Sequence, residues 1–363
     1  MLKRVGKYIG FVALWALVIA VVVWANSLST EHNATTAIRS TKIAITGGSD
    51  TPLIDNRLIE EWLALHNLTP DGHPLDKTDI ATIEATLAEH SAVERANVYT
   101  TYDGHVNIDI RQREPIARLR FTDYDMYLTK EGYLLPATDG YSVHVPVITG
   151  DYRPLFDPTF MGYIADMVAD TIALLDWRIE ELEESKIPHF EALKDNNARL
   201  REVTRMNVKR GIFTSDEEAE ILAAALKQRK SEARANHSAV ERSIKSDIAA
   251  IESAIGDIRH KQKEIRIIES ELDSLIAFLI AVGKSDFWSA EVVQLVATGG
   301  EGKPLQLSMI PRSGRFVVDL GTTERLREKL DDLLLFYHKG LDNIGWDKYR
   351  KISLRYDGQV VCK

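Results

Sequence analysis

The sequence predicts an α+β protein: a single N-terminal transmembrane helix, a β-α-α-β-β domain, and a mixed β-domain interrupted by a long antiparallel coiled-coil hairpin. Three observations carry that reading. An unbroken run of apolar or small residues, Tyr8 to Ala25, follows a head carrying Lys3, Arg4 and Lys7. Strand-like alternation appears on both sides of the middle of the chain. The middle itself, from Asp157 to about Val282, carries apolar residues at a seven-residue period in two stretches.

As a helix the apolar run spans about 27 Å, close to the hydrocarbon thickness of a bilayer. Tyr8, Trp15 and Trp24 are aromatics suited to its two interfaces. The cations on its short side place residues 1–7 in the cytoplasm, 8–25 in the membrane and the rest outside, at the cytoplasmic (inner) membrane. The alternative is a cleaved signal, with Val23 and Ala25 at a spacing that a peptidase reads; the length and the tryptophans favour an anchor. Residues 26–39 are polar and read as a linker.

Order begins near Thr41. Ile43 and Ile45 alternate as a strand; Asp55 caps a helix bearing Leu58, Ile59, Trp62 and Leu63; Pro70-Asp71-Gly72 turns; Ile80, Ile83 and Leu87 mark a second helix. Val93 to Tyr99 and the alternating Val106, Ile108 and Ile110 are strands joined through Asp103-Gly104. These elements fill a first domain, residues 40–114. Short strands follow at Ile116 to Phe121, Met126 to Leu128, Tyr133 to Leu135 and Val145 to Ile148. Asp157-Pro158 reads as a cap with proline at the first helical position.

The hairpin insertion, residues 166–274, interrupts a β-domain made of 115–165 and 275–363. Its first arm carries Ile172, Leu175, Ile179, Leu182, Leu193, Leu200 and Val203 in one frame, with Lys186, His189 and Asn196 as polar entries and Pro188 as a predicted bend. The second arm repeats Ile244, Ile248, Ile251, Ile255, Ile258, Ile265, Leu272, Ile276 and Leu279. Between them Lys209-Arg210-Gly211 reads as a stop, and Ser215 with Glu218 as a capping box. At the tip, Ile212 and Phe213 either fold back over the helix ends or offer a contact site. Beyond Gly283 a helix is expected near Phe287 to Val292, then strands at Leu305 to Met309 and Arg315 to Leu320. A helix with Leu326, Leu330, Leu333 and Tyr337 on one face stops at Gly340, and the alternating Ile352, Leu354 and Tyr356 precede a last strand, Gln359 to Cys362.

Composition excludes several functions. A net charge of −9 offers no basic footprint for nucleic acid, and the single cysteine, Cys362, excludes an internal disulfide. Around Gly302 and Lys303 the chain imitates a phosphate loop, but Ala297 and Pro304 occupy positions that need glycine and Ser/Thr, so a hairpin turn is expected. Ser313 lacks the flanking glycines of a nucleophile elbow, and the ten histidines form no helical metal pair. No catalytic residue, metal, cofactor or small-molecule substrate is expected.

The segment "IATIEATLAEHSAVERANVY" within the β-α-α-β-β order resembles a POTRA domain. "GYLLPAT" and "VPVITG", then "FWSAEVVQL", "MIPRSGRFVVDLG" and the ending "ISLRYDGQVV", resemble the β-domain of the FtsQ/DivIB cell-division proteins. The resemblance covers roughly 36–165 and 275–363 and leaves the hairpin uncovered. It implies a division-site scaffold whose POTRA domain meets other division proteins and whose last strands receive an FtsB/FtsL-type partner by strand addition. Arg355 and Tyr356 match the family's "RY"; Ile352, Leu354, Gly358, Gln359, Val360 and Val361 fall in or beside the accepting edge. The chain departs from the family at Thr322, where arginine is typical, and in its short tail after Cys362. The other readings are a periplasmic adaptor of a secretion or efflux system, which joins one span to a helical hairpin but splits a lipoyl-like motif not found here, and a peptidoglycan-processing enzyme, which needs a nucleophile or metal cluster.

Overall fold

A computed structural model describes residues 14–24, 37–48, 52–74, 77–101, 103–137, 143–154, 156–209, 215–300 and 302–363. Residues 14–24 form helix α1, on which Leu14, Leu17, Ile19, Val22 and Trp24 are all exposed. No helix among the described residues is long and apolar enough to cross a membrane. The rest of the expected span, residues 8–13 and 25, lies outside the described residues, as do the cationic head and most of the linker. The chain divides into two compact units, Met1–Tyr163 with Asp273–Lys363, and Ile164–Leu272.

In the first unit, β1 (Ser40–Thr46), α2 (Asn56–Leu65), α3 (Ile80–Ala88), β2 (Val93–Thr100) and β3 (His105–Gln112) follow the expected order. The Asp55 carboxylate accepts the Leu58 N–H at 2.8 Å, so the N-cap forms as read from the sequence. The three strands lie in the order β1-β3-β2, with β1 parallel and β2 antiparallel to β3. Their inward faces, Val106, Ile108 and Ile110, pack with Ile59, Leu63, Ile83 and Leu87 of the helices. Burying each such side chain contributes about 1.5–3 kcal/mol. The same core takes in Tyr127, Leu135 and Val143 from the following segment. Arg113 reinforces this junction: its guanidinium lies 3.3 Å from the Tyr133 ring centre and donates to the Ser91 carbonyl at 3.1 Å.

Strands β4 (Pro115–Arg120), β5 (Asp125–Thr129), β6 (Tyr133–Pro136), β7 (Val147–Thr149), β8 (Gly162–Tyr163), β9 (Val292–Gly300), β10 (Lys303–Pro311), β11 (Val317–Thr322), β12 (Lys351–Ser353) and β13 (Val361–Cys362) build one sheet. Its order is β13-β12-β11-β10-β9-β7-β4-β5-β6-β8. The β4–β7, β7–β9 and β11–β12 neighbours are parallel, which makes the sheet mixed. β9 and β10 are joined as a hairpin across the glycine-rich segment that imitates a phosphate loop.

Three local expectations are corrected. Asp157 does not cap a helix: its carboxylate accepts the Thr159 N–H at 2.9 Å in a tight turn, β8 follows, and the helix starts at Ile164. α7 (Asp286–Glu291), capped by Ser285, stops short of Val292, and Val292–Gly300 is a full strand where only a helix end was expected at Val292. Gly340 does not stop the helix near the end of the chain. α8 (Leu326–Phe336) continues through a π-turn, Tyr337–Leu341, into α9 (Asp342–Ile344). The break comes at Gly345, whose φ of 103° disfavours any side chain.

The second unit contains α4 (Ile164–Ser185), α5 (Ile187–Arg205) and α6 (Asp216–Gly283) as far as Leu272. Two side-chain bonds establish an antiparallel pairing: Gln262 donates to Asp176 at 2.7 Å, and Asn196 donates to the His237 carbonyl at 3.0 Å. Ile172 on one arm, and Ile244, Ile248, Ile255, Ile265 and Leu272 on the other, are buried where the period placed them. Pro188 lies two residues beyond the break at Lys186 that separates α4 from α5. α5 ends at Arg205, earlier than the Lys209-Arg210-Gly211 stop. The Ser215–Glu218 capping box is present, each residue's side chain accepting from the other's backbone N–H at 3.2 Å.

Candidate partner-binding edge

The last two strands form one border of the large sheet. β12 pairs in parallel with β11 through Val317–Lys351, Val318–Ile352 and Asp319–Ser353, and β13 adds antiparallel through Ile352–Cys362 and Ser353–Val361. Lys351 and Lys363 exchange both backbone bonds, Lys351 N–H to the Lys363 carbonyl at 3.0 Å and the reverse at 2.9 Å. Antiparallel pairs alternate between bonded and non-bonded positions, so the Cys362 N–H and C=O point away from β12, and by the same alternation so do those of Val360. That leaves a row of backbone groups at the free border of the sheet.

One acidic residue anchors the border from within. Asp319 on β11 is 3% exposed, and its carboxylate accepts Lys351 Nζ at 2.8 Å and Arg355 Nε at 2.8 and 2.9 Å. Burial pushes this carboxyl up, and the bonds from Lys351 and Arg355 outweigh burial to hold it below the ordinary aspartate value. The Asp319 carbonyl accepts the Leu354 N–H at 2.9 Å, which fixes the exit of β12. Lys329, buried on α8, donates to the carbonyls of Leu320 and Thr322 at 2.7 and 2.9 Å, and burial lowers its pKa. Arg325, at a left-handed φ of 54°, reaches Asp357 in the turn between β12 and β13. Thr322, at the position that departs from the family, thus lends its carbonyl to the lysine that holds the end of β11.

The expected site residues divide into two groups. Ile352 and Leu354 are buried in the core, so only their backbone lies near the border. Arg355 is engaged by Asp319. Tyr356 is 61% exposed and ends the inward alternation, because Gly358 at φ 62° turns the chain there and the Gln359 N–H donates to the Tyr356 carbonyl at 3.3 Å. Gly358 and Gln359 are exposed, and Val360 and Val361 are half-buried. Ile212 and Phe213 lie outside the described residues. Asp319 was not singled out from sequence; its partners lie more than thirty residues away, and only its place on a strand beside "RY" hinted at the contact.

The comparisons with known families rest on these same two regions. A model of the POTRA-like domain matches residues 37–111, and a model described as FtsQ/DivIB, C-terminal related, matches residues 248–363. Together the two matches support an FtsQ/DivIB-family protein. The FtsQ/DivIB-related match begins well inside α6, so the family region includes the last part of the long helix, beyond the resemblance read from 275. No curated protein matches the chain. FtsQ/DivIB and POTRA-like domains are non-enzymatic scaffold modules, and the family marks a division-site membrane protein with partners in the division machinery. The adaptor reading finds no support in these matches. Among the described residues no group of three or more His, Cys, Asp or Glu is placed to hold a metal ion.

Proposed function

We propose that this FtsQ/DivIB protein is a bitopic scaffold, anchored by residues 8–25, that receives an FtsB/FtsL-type partner as an added strand along β13. The observation that carries the proposal is the alternation at the free border: Val360 and Cys362 turn N–H and C=O groups outward while Val361 and Lys363 pair inward. A strand laid against this border gains backbone hydrogen bonds without disturbing the core. Tyr356 and Gln359, exposed on the adjoining turn, contact the partner's side chains. The anchor is supported by the apolar surface of α1 and by the cationic residues before it. The POTRA-like domain meets further division proteins.

The test is co-purification of the full chain with FtsB/FtsL-type partners. Val360→Pro removes an outward donor and is expected to weaken association by about 1–3 kcal/mol with the thermal transition unchanged. Deleting residues 357–363 is expected to abolish it. Undiminished binding by a folded deletion variant would end the proposal.

A further inference from the structure

Far along the same sheet lies a cleft that scaffolding by strand addition does not use. β9, β7 and β4 are adjacent and mutually parallel, and the loops leaving the carboxyl ends of β4 and β7 enclose a cavity of about 620 Å³. Crevices outside the carboxyl ends of parallel strands are where open sheets bind ligands, because the chain leaves neighbouring strands in different directions. Here it does so: β4 hairpins directly into β5, while the chain leaving β7 runs on to β8 at the sheet's far edge. The volume falls within the range of about 300–1,000 Å³ usual for small-ligand sites.

The walls are built and fixed. Phe121, Tyr124 and Tyr152 form an aromatic cluster, with ring centres 6.3 Å apart for Phe121–Tyr124 and 5.9 Å for Phe121–Tyr152. The Tyr124 hydroxyl donates to the Phe156 carbonyl at 2.7 Å, which sets the ring's orientation. Gly150, at φ 119°, lies so close to β9 that an added Cβ would sit 2.2 Å from the Ala297 carbonyl oxygen. Arg153 bridges in parallel to Gly300, where a Cβ would meet the Arg153 carbonyl oxygen at 2.5 Å. Both contacts hold the second loop against the sheet in one position, so a ligand would meet a preorganised surface.

The rim decides the ligand class. Asp123, Asp151, Arg153 and Thr122 line the cleft together with the aromatic residues. An anion would face two carboxylates, a cation would face the guanidinium, and an apolar molecule would strip water from all of them. Vicinal hydroxyls meet both signs at once, donating to carboxylates and accepting from a guanidinium, while the C–H face of a sugar ring covers an aromatic side chain. Asp123 also acts on Tyr124, whose phenol is pushed up first by burial and then by Asp157 and Asp123. We propose that this cleft is a carbohydrate-binding site that takes a neutral oligosaccharide segment.

Calorimetric titration of the full chain in lipid nanodiscs, free of glycoside detergents, with triacetylchitotriose and with maltotriose tests the proposal. Saturable binding of at least one trisaccharide is expected. Asp123→Asn with Asp151→Asn, at two exposed positions, is expected to weaken it about tenfold or more with an unchanged melting temperature. Asp123→Asn alone serves as the readout if the double variant melts early. Absence of saturable heat with both sugars would overturn the proposal. So would affinity unchanged in folded variants, or tighter binding of trilysine, which would mark a basic-peptide site.

Discussion

Asp319 shows how one residue positions the proposed edge. Its carboxylate gathers Lys351 and Arg355 while its backbone holds Leu354, so a single buried aspartate fixes β12 against β11. Its two cationic partners are about half exposed and regain water if it is lost, which keeps the cost well below that of orphaning a buried charge. Asp319→Ala is therefore expected to destabilise the domain by about 1–3 kcal/mol, measured by denaturant unfolding, and to loosen the border. His90 carries a pH dependence in the POTRA-like domain. Its Nδ1 accepts the Ala92 N–H at 3.3 Å, its ring lies 4.9 Å from that of Trp62, and burial lowers its pKa from 6.5. A lowered histidine pKa means that the unfolded chain binds the proton more readily. The stabilisation is thus complete above about pH 6.5 and is lost as pH falls through the lower folded value. Melting temperatures recorded from pH 7.5 to pH 5 are expected to fall less for His90→Gln than for the parent; equal slopes would exclude His90 as the cause.

Among the elements, the helices of the second unit were the most legible in sequence, because their pattern is local and periodic. Asn196, a polar entry in an apolar frame, finds the carbonyl of His237, whose Nε2 lies 2.9 Å from the Asn197 amide oxygen. Such a polar layer sets register at some cost in stability. Shorter elements were less legible. β9 was hidden because Val292 to Ala297 follows a capped helix without a turn signal, and its strand identity comes from lying between β10 and β7. Gly340 was read as a stop, yet the chain passes it in a π-turn packed against Phe336, whose ring leaves 2.7 Å for an added Cβ. Since the apolar positions of the two arms satisfy each other, the arm should be dispensable for folding. Excising Thr171–Ile267 and joining the stubs with a short helical link is expected to leave a cooperative thermal transition in the remainder; loss of that transition would show that the sheet depends on the arm.

At the scale of the whole molecule, the β-α-α-β-β order of the first domain was readable, and so was the family resemblance, because both live in short segments. The candidate edge was readable only as backbone: "ISLRYDGQVV" indicated a closing strand pair, but the anchoring by Asp319, the burial of Leu354 and the exposure of Tyr356 depend on residues far apart in the chain. The cleft between residues 121–124 and 150–154 was not readable at all, since two distant loops meet only when β4 and β7 pair. The central claim is that β13 accepts a partner strand through its outward backbone groups. Amide hydrogen exchange of the full chain, free and bound to an FtsB/FtsL-type partner, tests it most directly. The account predicts strong new protection at the Val360 and Cys362 amides, with little change at Lys363, which already pairs with Lys351. A stable complex in which Val360 and Cys362 exchange as fast as in the free protein would contradict it.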